Sequence, residues 1–309
     1  MDEDDLIRRS FGEPNPDSAA EARARAALMA RIRGETQHSY RRRRLRIGSF
    51  AAIAAVVAAI VVVASLSAGP APPAAARELD RLADITRTTY APRLGAGEFL
   101  LMRAEELRPQ SFTVLGGPAV TFSSRLTVET WVAQDGSGYR RTTVIDVVYP
   151  SEQERRRIEA LNIAELPQPG EVRTEHYAAG NAPWFDTSGL SSDPSTLLSQ
   201  LRSGEPVQHP PGDVEVFAVV GDLLAQGDAS AEVRAAMLGA AGRLDGVTYL
   251  GEVPDPLGRP GVGFSMEGSG QLVTLTFDSA TAHLLSAQTD DGVTAWRAFE
   301  PAVVTRERP

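Results

Sequence analysis

The chain contains no cysteine among its 309 residues. That excludes disulfides, thiolate nucleophiles, CxxC redox pairs and cysteine-ligated zinc together. Lysine is missing too, for all 31 basic residues are arginine. A Walker A loop, which needs its lysine on the phosphates, is thereby excluded. The four histidines are His38, His176, His209 and His283. None stands at the short spacing from another that a local metal site uses. A Gly-x-Ser-x-Gly turn is also absent; the nearest string, Gly263-Phe264-Ser265-Met266-Glu267, lacks the second glycine. Asp135-Gly136-Ser137-Gly138 is too short for a calcium loop. The adjacent acids Glu105-Glu106 and Asp290-Asp291 read as ordinary solvated charge. The sequence therefore assigns no catalytic residue, no metal site and no cofactor.

Apolar residues make up 42% of the chain, enough for a sizeable core. The net charge of −9 is unevenly spread. Residues 1–46 carry 11 arginines against 8 acids, a net +3, while residues 69–309 carry 20 against 32, a net −12. A region so acidic has no electrostatic reason to bind nucleic acid.

Between the two lies Ile47–Ala68, 22 residues without a charge or a proline. As a helix it would measure about 33 Å, the thickness of a bilayer's hydrocarbon core. Arg41, Arg42, Arg43, Arg44 and Arg46 precede it, and no basic residue follows before Arg77. This asymmetry predicts one membrane crossing with the amino terminus in the cytoplasm and the rest outside. A cleaved signal peptide has a shorter apolar stretch, and a lipoprotein signal needs cysteine. The expected division is a cytoplasmic tail over 1–46, a transmembrane helix over 47–68, a Pro/Ala linker over 69–76 and an extracytoplasmic domain over 77–309. In the tail, Asp17 would cap a helix ending at Gly34, with Leu28, Met29 and Ile32 as a short stripe for a cytoplasmic partner.

The outer region mixes both periodicities. Leu79, Leu82, Ala83 and Thr86 recur at helical spacing over residues 76–90. Glu98–Arg103 reads as a strand. In Arg125–Val132 the residues Leu126, Val128, Thr130 and Val132 alternate with Arg125, Thr127, Glu129 and Trp131. Tyr139–Val148 is the return strand after the turn at Asp135–Gly138. Residues 151–210 are irregular, except that Asp193-Pro194 starts a helix bearing Leu197, Leu198 and Leu201. Two helices follow, one with Val216, Phe217, Val220, Leu223 and Leu224 on a face, the next with Val233, Met237, Ala240, Ala241 and Leu244. A meander over Val247–Gln288 comes next, and Trp296–Val304 adds an edge strand. The expected fold class is α+β: the transmembrane helix plus a twisted, half-barrel-like antiparallel sheet with helices packed on one face.

Four residues stand out as contacts for a ligand or partner. Trp131 and Trp184 could line a pocket, although core packing is the plainer role. Arg259, in Gly258-Arg259-Pro260-Gly261, lies four residues after Asp255. The pair would lock a turn or, alternatively, present an anion or partner contact at a strand end.

Taken in order, several strings resemble a family. They are the arginine-flanked span, Leu94-Gly95-Ala96-Gly97-Glu98-Phe99-Leu100, Glu129-Thr130-Trp131-Val132-Ala133 before Asp135-Gly136, Asp193-Pro194 with its leucines, and Val233-Arg234-Ala235-Ala236. Gly246-Val247, Asp255 with Gly258-Arg259-Pro260-Gly261, and Phe277-Asp278 complete the set. The chain so resembles single-pass membrane proteins of GC-rich Gram-positive bacteria, often encoded beside extracytoplasmic-function sigma factors. The resemblance carries over no catalytic residue. It implies a tail that reports to a sigma factor or its regulator. More loosely, the sheet is similar to the half-barrels of lipoprotein-carrier and sigma-regulator periplasmic domains, which hold acyl chains or lipopeptides on a concave face. The expected function is a non-catalytic envelope protein that binds a hydrophobic ligand or an envelope protein outside and the lipid bilayer through residues 47–68. The alternatives are an enzyme acting on wall or lipid substrates and a purely structural envelope module.

Overall fold

The computed structural model describes residues 73–88, 94–113, 119–161, 166–179, 187, 189–203, 212–226 and 229–309. Helix α1 (Pro73–Thr88) opens them, three residues ahead of the expected start. Proline suits a first helical turn, where its missing N–H costs nothing. Ala75, Leu79, Leu82, Ala83 and Thr86 form its buried stripe.

Four strands then fold up and down: β1 (Phe99–Thr113), β2 (Ala119–Ala133), β3 (Gly138–Val148) and β4 (Val172–Tyr177). Helix α2 (Glu152–Ala160) interrupts them before β4. Next come α3 (Pro194–Arg202), α4 (Asp213–Gln226) and α5 (Ala231–Ala241). A second meander follows, β5 (Thr248–Pro254), β6 (Pro260–Gly268), β7 (Gln271–Phe277), β8 (Leu284–Asp290) and β9 (Thr294–Phe299), and then β10 (Val303–Thr305).

Pairing of β9 with β1 fuses the two meanders into one ten-stranded sheet, nine strands in the order β4-β3-β2-β1-β9-β8-β7-β6-β5 and the tenth, β10, paired with β1 off this path. All pairings are antiparallel. One transverse row, Phe264–Leu275–Ala287–Arg297–Glu106–Leu126–Val144, crosses seven strands on a single face. Its apolar β6–β8 end lies under α4, where Phe217, Val220 and Leu223 are fully buried. The approach is close, since a Cβ on Gly221 would stand 2.6 Å from Leu275 Cδ2. Ile158 of α2 packs on Val120 and Phe122 at the other end of the sheet.

This architecture corrects the expected fold class. The described chain is dominated by one open sheet whose edge strands, β4 and β5, do not meet, and five helices accompany it. A half-barrel with a transmembrane helix is not what the described residues form. No helix among them is long and apolar enough to cross a membrane. The stretch expected to do so, Ile47–Ala68, lies outside the described residues. The physical reason for the misjudged sheet lies in β1 and β2, each 15 residues long. Their distal halves carry the polar residues Arg108, Gln110, Ser123 and Ser124 and the strand-disfavouring Pro109, which interrupt the alternation by which strands are recognised. The interior between sheet and helices is likewise occupied by side chains: Phe264, Leu275 and Phe277 meet Phe217 and Leu223, all at 0–1% exposure.

Candidate functional site

The face opposite the helices carries a second transverse row, Leu101–Trp131–Tyr139–His176, one residue from each of β1 to β4. Phe99 sits two residues before Leu101 on the same face. Phe99, Leu101 and Trp131 are buried together, with Tyr139 and Ala133 packed against them. The Phe99 and Tyr139 rings meet edge to face at 6.0 Å, and His176 lies 4.9 Å from Tyr139. Offset and edge-on contacts of this kind suit the charge distribution of aromatic rings.

Beside these rings opens a cleft of about 390 Å³. Its walls are two turns brought together by the β1–β2 register. One is the Gly95–Glu98 turn leading into β1, and the other is the β2–β3 hairpin turn with Gln134, Asp135 and Ser137. Phe99, Tyr139, His176 and Arg308 complete the lining. Each turn holds its own carboxylate. The Gly95 N–H donates to Glu98 Oε2 at 2.8 Å, while Arg306 reaches Oε1 at 3.1 Å. The backbone bond first, then Arg306, hold the Glu98 carboxyl below its usual range. Asp135 Oδ1 accepts from the Ser137 hydroxyl at 2.6 Å and the Ser137 N–H at 2.9 Å, which lower its pKa in that order. Both acids are therefore anionic at neutral pH, fixed in position, and adjacent to aromatic faces. Such a site suits a cation or a hydrogen-bonding ligand with an apolar flank. Ser137, Asp135 and His176 share the cleft, but the Ser137 hydroxyl is committed to Asp135. No hydrogen bond among the described residues joins it to an imidazole base, as nucleophilic catalysis would require.

Next to the cleft, Glu129 is clamped between Arg103 (3.1 Å) and Arg141 (2.7 Å). Burial works to raise its pKa, but the hydrogen bonds and charges of Arg141 and Arg103 outweigh it and keep the carboxyl low. The Arg141 guanidinium also lies 5.2 Å over the Trp131 ring. Trp131 is 3% exposed, so it buttresses the cleft and does not line it.

Asp255 and Arg259 stand elsewhere, at the β5–β6 turn. The Asp255 side chain has no exposure. Its Oδ1 accepts from the Leu257 and Arg259 N–H groups at 3.0 and 2.7 Å, and its Oδ2 from Arg259 Nε at 2.7 Å. Arg259 then donates to the Phe299 carbonyl at 2.9 Å and the Leu285 carbonyl at 2.8 Å. The pair locks the turn, as one of its two sequence readings held, and also ties that turn to β8 and β9. Trp184 and the arginines 41–44 and 46 lie outside the described residues. No group of three or more potential metal ligands gathers among the described residues.

Sequence inspection singled out Trp131, and His176 only for its neighbour Glu175, but not Phe99, Tyr139, Glu98 or Asp135 as site residues. Both turns were legible from their glycines; their adjacency follows only from the fifteen-residue register between Phe99 and Ala133. Comparison with models of protein families finds none that matches the chain, and comparison with curated proteins finds no match either.

Proposed function

We propose that this chain is a non-catalytic binding protein of the cell envelope, held at the membrane by its apolar stretch 47–68, with the β-sheet region outside and the tail 1–46 in the cytoplasm. The observation that carries the binding role is the cleft at the Gly95–Glu98 and Asp135–Ser137 turns. Fixed anions and aromatic edges converge there, and the polar groups are spent on their own turns, not on an acid–base pair. The placement at the membrane rests on the uncharged span and its arginine collar. A tail that reports to a sigma factor or its regulator rests on the family resemblance. Side chains occupy the space between helices and sheet, which supports a ligand on the opposite face over one in an acyl-chain cavity.

A photo-cross-linker installed at Gln134, on the cleft rim, tests the binding role in intact cells. A discrete adduct that disappears in Asp135→Asn and is missing from the same probe at Ser195 is the expected outcome. An adduct pattern unaffected by Asp135→Asn and shared with Ser195 would refute a specific site. Loss of a hydrolytic activity in Ser137→Ala would instead favour the enzyme reading.

A further inference from the structure

The edge of β1 is shared by two strands. β9 pairs with Ala104–Leu107, and the Glu300 N–H donates to the Arg103 carbonyl at 3.0 Å. Ahead of that junction, Phe99–Leu101 would present a free edge, and there β10 docks: Phe99↔Thr305, Leu100↔Val304, Leu101↔Val303. Beyond β10, the Arg306 guanidinium pairs with Glu98 and that of Arg308 lies 5.6 Å over the Phe99 ring. Segment 303–308 thus makes a short backbone ladder and then places two arginines on the carboxylate and ring at the cleft.

Its hold is slight. Only three residues pair, and Val303 and Val304 remain 45% and 40% exposed, so the strand buries little apolar surface. The Arg306 side chain is 79% exposed, a situation in which an ion pair adds little. Strand addition at a sheet edge, with side-chain pockets giving specificity, is a general mode of peptide recognition.

We infer that the Phe99–Leu101 edge with the Glu98–Phe99 pocket is a groove for an extended, arginine-bearing peptide, and that segment 303–308 occupies it in cis. This rests on reading the cleft as a binding site and names its ligand class. The segment acts as a strap: a partner peptide whose arginine meets Glu98 and Asp135 displaces it by supplying a longer ladder. A peptide with lysine or neutral residues there loses the planar, ring-stacking contact that guanidinium provides.

The test uses a fluorescein-labelled peptide with the sequence of residues 303–309, and a second in which citrulline replaces both arginines. The chain ending at Ala302 is expected to bind the first peptide saturably, at least about tenfold tighter than the full chain does. The citrulline peptide, and a Glu98→Gln version of the shortened chain, should each lose about tenfold. Should the shortened chain fail to fold, the full chain carrying Arg306→Ala and Arg308→Ala replaces it and is expected to show the same gain. Equal binding by full and released chains, or equal binding of both peptides, overturns the inference. So does a concentration-dependent dimer of the full chain that takes up no peptide, which would make the segment a strand exchanged between copies. Cross-linking from Gln134 in the same variants separates the two levels. An adduct without peptide uptake leaves the binding role standing and removes only the peptide groove; loss of both removes both.

Discussion

His283 precedes β8 in the loop that leaves β7, largely buried, with Nε2 lacking a hydrogen-bond partner. Burial first, then the charges of Arg234 and Arg259, push its pKa from 6.5 to about 4, against the opposing pull of the Phe299 backbone and Asp278. The imidazole is neutral in the fold wherever the unfolded chain would begin to take a proton. Above pH 6.5 neither state is protonated and the residue contributes nothing to pH dependence. As pH falls through 6.5 towards 4 the unfolded chain gains the proton first, and stability is lost by at most about 1.4 kcal/mol per pH unit. Urea midpoints measured at pH about 7 and about 5 should therefore fall for the native chain and fall less for His283→Gln. An identical pH dependence in the two chains would show that His283 titrates normally. In the sequence it stood out among the four histidines only by its place on an expected strand, which does not disclose its burial; its environment is assembled from α5, the β5–β6 turn and the end of β9.

At the scale of elements, Gly258-Arg259-Pro260-Gly261 shows what a short string can and cannot disclose. Gly258 has φ +81°, a left-handed conformation that favours glycine, so a turn was legible there. A Cβ on Gly261 would stand 2.7 Å from the Phe277 carbonyl oxygen, a backbone approach invisible before β6 is laid on β7. Arg259 binds β8 and β9 through two carbonyls, so its main partners lie 26 and 40 residues away. Arg259→Ala leaves the Asp255 carboxylate buried and short of its cation, at a cost of about 3 kcal/mol or more in denaturant unfolding. Arg259→Lys restores a charge but not the planar fork, so it should recover only part of that loss. Wild-type stability in Arg259→Ala would show that the tie between the turn and the two strands adds nothing. Alternation placed the faces of Arg125–Glu129 because apolar and polar residues take strict turns there; Thr130 and Trp131 break the pattern, since Trp131 is buried on the other face. Alternation did not reveal β4, whose exposed positions are held by pairing with β3 and not by burial, nor the outer halves of β1 and β2, which pair with each other over Glu106–Thr113 and Ala119–Leu126.

For the whole molecule, the sheet order decides what comes together. Two meanders far apart in sequence share β1, and this places segment 303–308 beside residues 95–101. No local pattern announces such a junction, since it depends on which edges remain unpaired once each meander has formed. The absence of cysteine offers a clean way to ask where the cleft faces. In single-cysteine chains, Gln134→Cys sits on the cleft rim and Ser18→Cys in the tail. If the cleft meets envelope ligands, a membrane-impermeant maleimide applied to intact cells labels Gln134→Cys and reaches Ser18→Cys only after permeabilisation. Labelling of Ser18→Cys in intact cells, with Gln134→Cys protected until they are opened, would contradict a cleft that works outside.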